Sequence, residues 1–178
     1  FFVLGGLTSF FDLLTAPLIT LGLPLLIAFQ IKKQNKTIER TLLLSIFWGI
    51  GYSAVWSSKW LVGSLLTNSD FLSSVFNQVE LRTSGQYKGM NMTIPTIMQF
   101  IYDGLRTKGI LLPVVGFVVT LIATLLYWIK KDRKTLLASF PYLMIVFMFP
   151  LWFLILRNHT IQHGWFTWRT IVVMLFGF

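Results

Sequence analysis

Apolar positions in this chain come in long runs separated by short polar clusters. Residues 13–31 carry no charge and reach about 28 Å as a helix at 1.5 Å per residue, close to the hydrocarbon thickness of a bilayer. Further apolar runs occupy 41–58, 109–129, 135–156 and 170–178. The second of these extends past Lys59 to Leu66 when the lysine is read as part of the same helix. No segment keeps the sustained alternation that a membrane β-strand requires. The pattern predicts an all-α fold, a polytopic transmembrane helical bundle with about four complete spans and a truncated fifth. Pro17 and Pro24 lie inside the first run, where each removes a backbone donor and favours a kink. In the preceding segment, Gly5-Gly6 and Thr8-Ser9 predict a break rather than a continuous helix. The chain begins at Phe1 without Met and stops inside an apolar run at Phe178, so 1–178 reads as a single truncated transmembrane domain.

Residues 59–108 form the one long polar interval, an outer loop with structure of its own. From Asp70 onward, Phe71, Leu72, Val75, Phe76 and Val79 recur at helical spacing, and Gly85 follows as a stop. A second amphipathic stretch begins near Pro95 and carries Ile97, Met98, Ile101, Tyr102 and Leu105 on one side. Both are expected as interfacial amphipathic helices, lying on the membrane surface or capping the bundle.

Composition supports lipid as the solvent. Apolar residues make up 55% and charged residues 12%, against about 25% charged in a soluble domain. The net charge of +9 is concentrated in two clusters, Lys32 to Arg40 and Lys130 to Lys134, each between apolar runs. That placement fits cytoplasmic turns of a multi-pass cell-membrane protein and excludes a nucleic-acid partner. It puts Phe1–Asp12, residues 59–108 and Arg157–Arg169 outside, with Lys59, Arg82, Lys88, Arg106, Lys108, Arg157 and Arg169 among them. Trp56, Trp60, Tyr127, Trp128, Trp152, Trp165 and Trp168 fall near predicted span ends, where amphipathic rings favour headgroups. Cysteine is absent, which excludes disulfides and thiolate metal sites.

Ionisable groups near membrane depth are the candidate site residues. Asp12 is read either as a general base or charge partner, or as the N-cap of the first span. Lys59, between Trp56 and Trp60, either snorkels at the interface or presents its ammonium to a phosphate. His159, His163 and Arg169 lie in the third region, with Arg157 and several aromatic residues. Arginine suits phosphate oxygens and histidine donates or shuttles a proton; the plain alternative is an interfacial loop. His159 and His163 have the spacing of helical metal ligands, but Thr160 replaces the zinc-protease glutamate and no third ligand is evident, so no metal is assigned. Asn35, Asn91 and Asn158 each begin an Asn-x-Thr triplet, of which Asn91 and Asn158 face outside. No phosphate-binding loop, dinucleotide fingerprint or serine elbow occurs, and no cofactor is implied.

Three stretches carry a family resemblance: Leu7 to Asp12 with Pro17 to Pro24; Trp56-Ser57-Ser58-Lys59-Trp60; and Asn158-His159-Thr160 with His163, Trp165-Phe166-Thr167 and Arg169. Together they resemble polytopic bacterial membrane proteins related to the C-type glycosyltransferase superfamily. The resemblance implies sugar transfer from a polyprenyl-phosphate-linked donor to a glycan or other acceptor at the extracytoplasmic face, in cell-envelope glycan assembly. It also implies an acidic residue in the first outer loop, upstream of Phe1, that serves as the catalytic base. Lys59, His163, Arg169 and His159 then stand as lipid-phosphate ligands, and Asp12 as a weaker catalytic or charge-pairing candidate. A transporter or flippase of a lipid-linked or anionic solute is the alternative expectation, and a non-catalytic membrane scaffold the third.

Overall fold

The long apolar runs fold as helices, because a backbone in an apolar surrounding must satisfy its own hydrogen bonds. A computed structural model describes residues 1–11, 17–31, 38–67 and 70–177, without the side chains at 87, 90, 165 and 166. The described elements are α1 (Phe2–Phe10), α2 (Pro17–Ile31), α3 (Ile38–Thr67), α4 (Phe71–Thr83) and α5 (Ile94–Thr107), followed by α6 (Leu111–Lys131), α7 (Arg133–Ile155), α8 (Arg157–Gln162), α9 (Gly164–Thr167) and α10 (Ile171–Gly177). A 3-10 turn, Trp168–Thr170, leads into α10, and a two-residue antiparallel ladder pairs β1 (Gln86–Tyr87) with β2 (Met90–Asn91).

Among the described residues two helices, α6 and α7, are long and apolar enough to cross a membrane. A core helix of a soluble protein passes the same length test, so exposure decides between them. α6 buries only Leu121, while Leu112, Val119 and Ile122 are more than half exposed. Water would oppose so much bare apolar surface, and a lipid surrounding would not. α2 is apolar over 15 described residues, a shorter length than a bilayer needs. α3 runs for 30 residues, through Lys59 to Thr67, so the first nine positions assigned to the outer loop are helix.

The expected break near the N-terminus is not a break. Phe2–Phe10 is helical, and its glycines serve packing instead. α1 buries Gly5, Gly6, Thr8 and Ser9, all small, against α3. A Cβ on Gly5 would stand 1.9 Å from the Trp48 carbonyl oxygen, and one on Gly51 would stand 2.0 Å from that of Phe2. The backbones are therefore in direct contact, as small residues permit between apolar helices. Phe2 meets Gly51, Gly6 faces Val55 and Ser9 meets Lys59, so α1 and α3 run parallel. Thr8 then donates to Thr20 Oγ1 at 2.7 Å, tying α1 to the start of α2.

α7 is the central element. Pro141, Ile145, Phe149 and Phe153 recur every four residues and form its buried stripe. Ile145 packs with Leu18, Leu21, Leu25 and Phe29 of α2 and Val173 of α10. Phe149 and Phe153 pack with Ile97 of α5 and with Trp168. Trp168 is thus a core residue at 6% exposure, not the interfacial ring expected from its position near a span end.

The amphipathic stretches fold as α4 and α5. Asp70 caps α4 by accepting from Leu72 N, Thr93 caps α5 by accepting from Thr96 N, and Gly85 takes φ +75° after α4. Ile97 and Leu105 of α5 are buried, whereas Met98 and Tyr102 are exposed. α4 buries none of its residues, so Leu72, Phe76 and Val79 stay open.

Asp132 separates α6 from α7 and caps the latter. Its carboxylate accepts from Thr135 Oγ1, from Thr135 N at 3.1 Å and from Lys134 N at 3.1 Å. The Thr135 hydroxyl, more than the backbone donors, holds its pKa below the ordinary aspartate range. A depressed carboxylate pKa means the cap is complete at neutral pH and is lost as pH falls through that lowered value. Amide exchange at Lys134 and Thr135, corrected for intrinsic pH dependence, is therefore expected to accelerate below about pH 4. Asp132→Ala should show the fast exchange at every pH; unchanged protection in that variant would remove the cap.

Candidate functional site

The chain's connectivity sorts its polar groups to two ends. The turn at Asp132 and the C-terminal end of α2 define one, flanked by basic residues. The ends of α1, α3 and α7, with α4, α5 and α8, gather at the other. This far end contains every sequence-derived candidate except Asp12, which lies outside the described residues.

Lys59 is exposed on α3, and its Nζ donates to the carbonyls of Ser9 at 2.6 Å and Phe10 at 3.3 Å. These belong to the last turn of α1, where carbonyls lack helical donors and a cation is favoured. An ammonium has three protons, so one remains after this capping role. Lys59 also lines a cavity of about 280 Å³ with Trp56, Trp60 and Arg82. The two indoles meet edge to face at 6.1 Å. Arg82 reaches the cavity from the last turn of α4, where its Nη1 donates to the Gln78 carbonyl at 2.8 Å and to Gln78 Oε1 at 2.6 Å. Its Nε is buried and makes no hydrogen bond among the described residues. Two cations thus border one recess, and no described carboxylate lines it.

His159 and His163 do come together, with ring centroids 4.6 Å apart on α8 and its C-cap. His159 is buried and His163 partly exposed. Among the described residues no cluster of three His, Cys, Asp or Glu side chains is placed to hold a metal. Arg169 is exposed on the 3-10 turn. Neither His163 nor Arg169 lines the Lys59–Arg82 cavity.

The segment containing these residues is helical and largely buried, rather than an interfacial loop. Asn158 is 1% exposed, and its Nδ2 donates to Leu81 O at 2.9 Å, Ser84 Oγ at 3.0 Å and Gln86 O at 2.8 Å. It is a structural clasp between α8 and the end of α4. Thr160, Thr167 and Thr170 of the same segment are also fully buried.

A comparison with known protein families, characterised proteins and solved structures finds no match to this chain.

Sequence reasoning missed two groups at this end. Arg82 was visible as one of the outer cations, but nothing local joins it to Lys59, 23 positions earlier. Asp103 was not singled out. It lines a second recess of about 360 Å³ with Phe100, Thr107, Lys108, Gln162 and Trp168, and both its carboxylate oxygens accept from Gln99 Nε2. Its one available signal was a lone acid on the polar side of an amphipathic helix, which is ordinarily just a solvated charge.

Proposed function

We propose that this is a multi-pass cell-membrane protein that binds the phosphate of a polyprenyl-linked sugar donor at its extracytoplasmic end and transfers the sugar to a glycan or other acceptor. The observation that carries the reading is the recess lined by Lys59 and Arg82 together with Trp56 and Trp60. A lipid phosphate supplies acceptor oxygens for the spare Lys59 proton and for the unbonded Arg82 Nε–H. Indole rings suit the boundary where a prenyl tail meets its headgroup. Leu65 and Leu66 of α3, with Leu72 and Phe76 of α4, are each at least 60% exposed, and they keep this end within reach of the acyl region.

Sugar transfer from such a donor leaves negative charge on the departing phosphate, and fixed cations there lower the barrier. His163 and Arg169 remain candidates for a second contact to the donor. The recess at Asp103 is the proposed acceptor side, because a carboxylate there can accept from a sugar hydroxyl.

Binding of a polyprenyl phosphate to the purified protein tests the first step, with the uncharged polyprenol as reference. A charge-assisted hydrogen bond contributes about 1.5–3 kcal/mol, so Lys59→Ala and Arg82→Ala are each expected to weaken phosphate binding by roughly tenfold or more. Polyprenol affinity should not change. Equal affinity for polyprenol and its phosphate, or variants that bind like the parent, would end the phosphate-site reading. Intact binding without transfer of sugar from a labelled donor would favour transport or scaffolding.

A further inference from the structure

A cavity of about 600 Å³ lies at the other end of the bundle, between α2, α6, α7 and α10. Its deeper wall is apolar, formed by Leu26, Leu121, Leu143, Val146 and Phe176. Toward the Asp132 turn the lining becomes polar, with Gln30, Thr124, Thr135, Ser139 and Tyr142, and Trp128 stands among them. Along α7 the cavity runs from Thr135 to Val146, about 16 Å at 1.5 Å per residue. That is about half of a 30 Å hydrocarbon layer, the depth of one leaflet. Lys130, Lys131, Arg133 and Lys134 flank the turn at the polar end, against one carboxylate, Asp132. Thr135 already occupies that carboxylate, and Lys131 Nζ stands 5.4 Å from the centre of the Tyr127 ring.

We infer that this cavity is a binding site for a single anionic phospholipid of the leaflet facing the basic turn. One acyl chain lies along α7 against Leu143 and Val146, the glycerol esters reach the Ser139–Thr135 level, and the phosphate meets the basic turn. Three features select this occupant together. The lining grades from apolar to polar over one leaflet's depth, the size falls within the usual range for small-molecule sites, and four cations flank the turn next to the polar end. A soluble anion would leave the apolar wall unfilled, and a neutral lipid would leave the cations without a partner. The site is separate from the Lys59–Arg82 recess, so its failure would leave that reading untouched.

The test is lipid retention by the full-length protein, read by native mass spectrometry after exchange into phosphatidylglycerol or phosphatidylcholine. Phosphatidylglycerol is expected to be retained at least fivefold better, with one lipid bound per chain. Neutralising the turn with Lys130→Gln, Lys131→Gln and Lys134→Gln should bring the two lipids within twofold of each other. Ser139→Trp, which fills the cavity without changing charge, should remove the retained lipid; Ser139→Ala serves as its folded control. A photo-crosslinker at Leu143 should capture lipid. Equal retention of both lipids, retention unaffected by Ser139→Trp, or capture of protein in place of lipid at Leu143 would each overturn the assignment.

Discussion

Asn158→Asp is expected to detach the end of α4 and the β1–β2 ladder from the bundle, at a cost of about 3–5 kcal/mol, the range for stranding a buried charge. Size and shape barely change in this substitution. What changes is that two amide protons shared among Leu81 O, Ser84 Oγ and Gln86 O are replaced by a carboxylate oxygen. A carboxylate facing two carbonyl oxygens at under 3 Å is repelled by both. Asn158→Ala should cost less, about 2–3 kcal/mol, because it strands the carbonyls without adding charge. Denaturant titration of the purified protein gives the ranking, and amide exchange over 84–92 locates the damage. Equal effects of the two variants would mean that Asn158 acts by packing, not by donating. Arg82 sits in the last turn of the detached helix, so loss of the clasp should also weaken phosphate binding, although Asn158 is not at the recess.

The second large effect concerns the α1–α3 contact. Gly5→Ala and Gly51→Ala are each expected to destabilise the protein by about 3 kcal/mol, the upper part of the usual overpacking range. Each new Cβ meets a backbone oxygen, at 1.9 Å for Gly5 and 2.0 Å for Gly51, and no rotamer change can relieve that overlap. The helices must separate by about 1.5 Å to restore an ordinary contact of 3.4 Å. Gly49→Ala is the control. Nothing lies within 4 Å of its new Cβ, and alanine favours a helix over glycine by about 1 kcal/mol, so this variant should be neutral or more stable. Because one separation relieves both overlaps, the Gly5→Ala, Gly51→Ala double variant should fall well short of additivity. Additive losses would show that the two glycines act at independent contacts. Lys59 donates to the end of α1, so separation of these helices also frees its ammonium from Ser9 O.

The glycines show where sequence reasoning failed and why. Gly5-Gly6 beside Thr8-Ser9 reads as a break when only local propensity is weighed. In the fold the same small residues form the face that lets α1 touch α3, a contact between positions more than forty apart in the chain. Asn158 is similar, since an Asn-x-Thr triplet is polar and surface-seeking by composition. Its burial follows from three acceptors supplied by residues 81–86, which no local pattern could have placed there. By contrast, the amphipathic helices beginning near Asp70 and Pro95, the Gly85 stop and the basic turn at Lys130–Lys134 were legible. Each depends on neighbours within a few positions.

Hydrophobic periodicity and charge placement by themselves determined that the chain is helical, that α6 and α7 are long apolar elements joined by a basic turn, and that amphipathic helices fill the long polar interval. These properties belong to single helices and their ends. Only the tertiary structure decided which polar groups meet. It set Arg82 and Lys59 on one recess with two tryptophans, buried Asn158 and Trp168, and left a leaflet-deep cavity beside the basic turn. Such pairings are set by which helix faces can approach, through contacts between small residues far apart in the chain, and a one-dimensional pattern carries no measure of that distance.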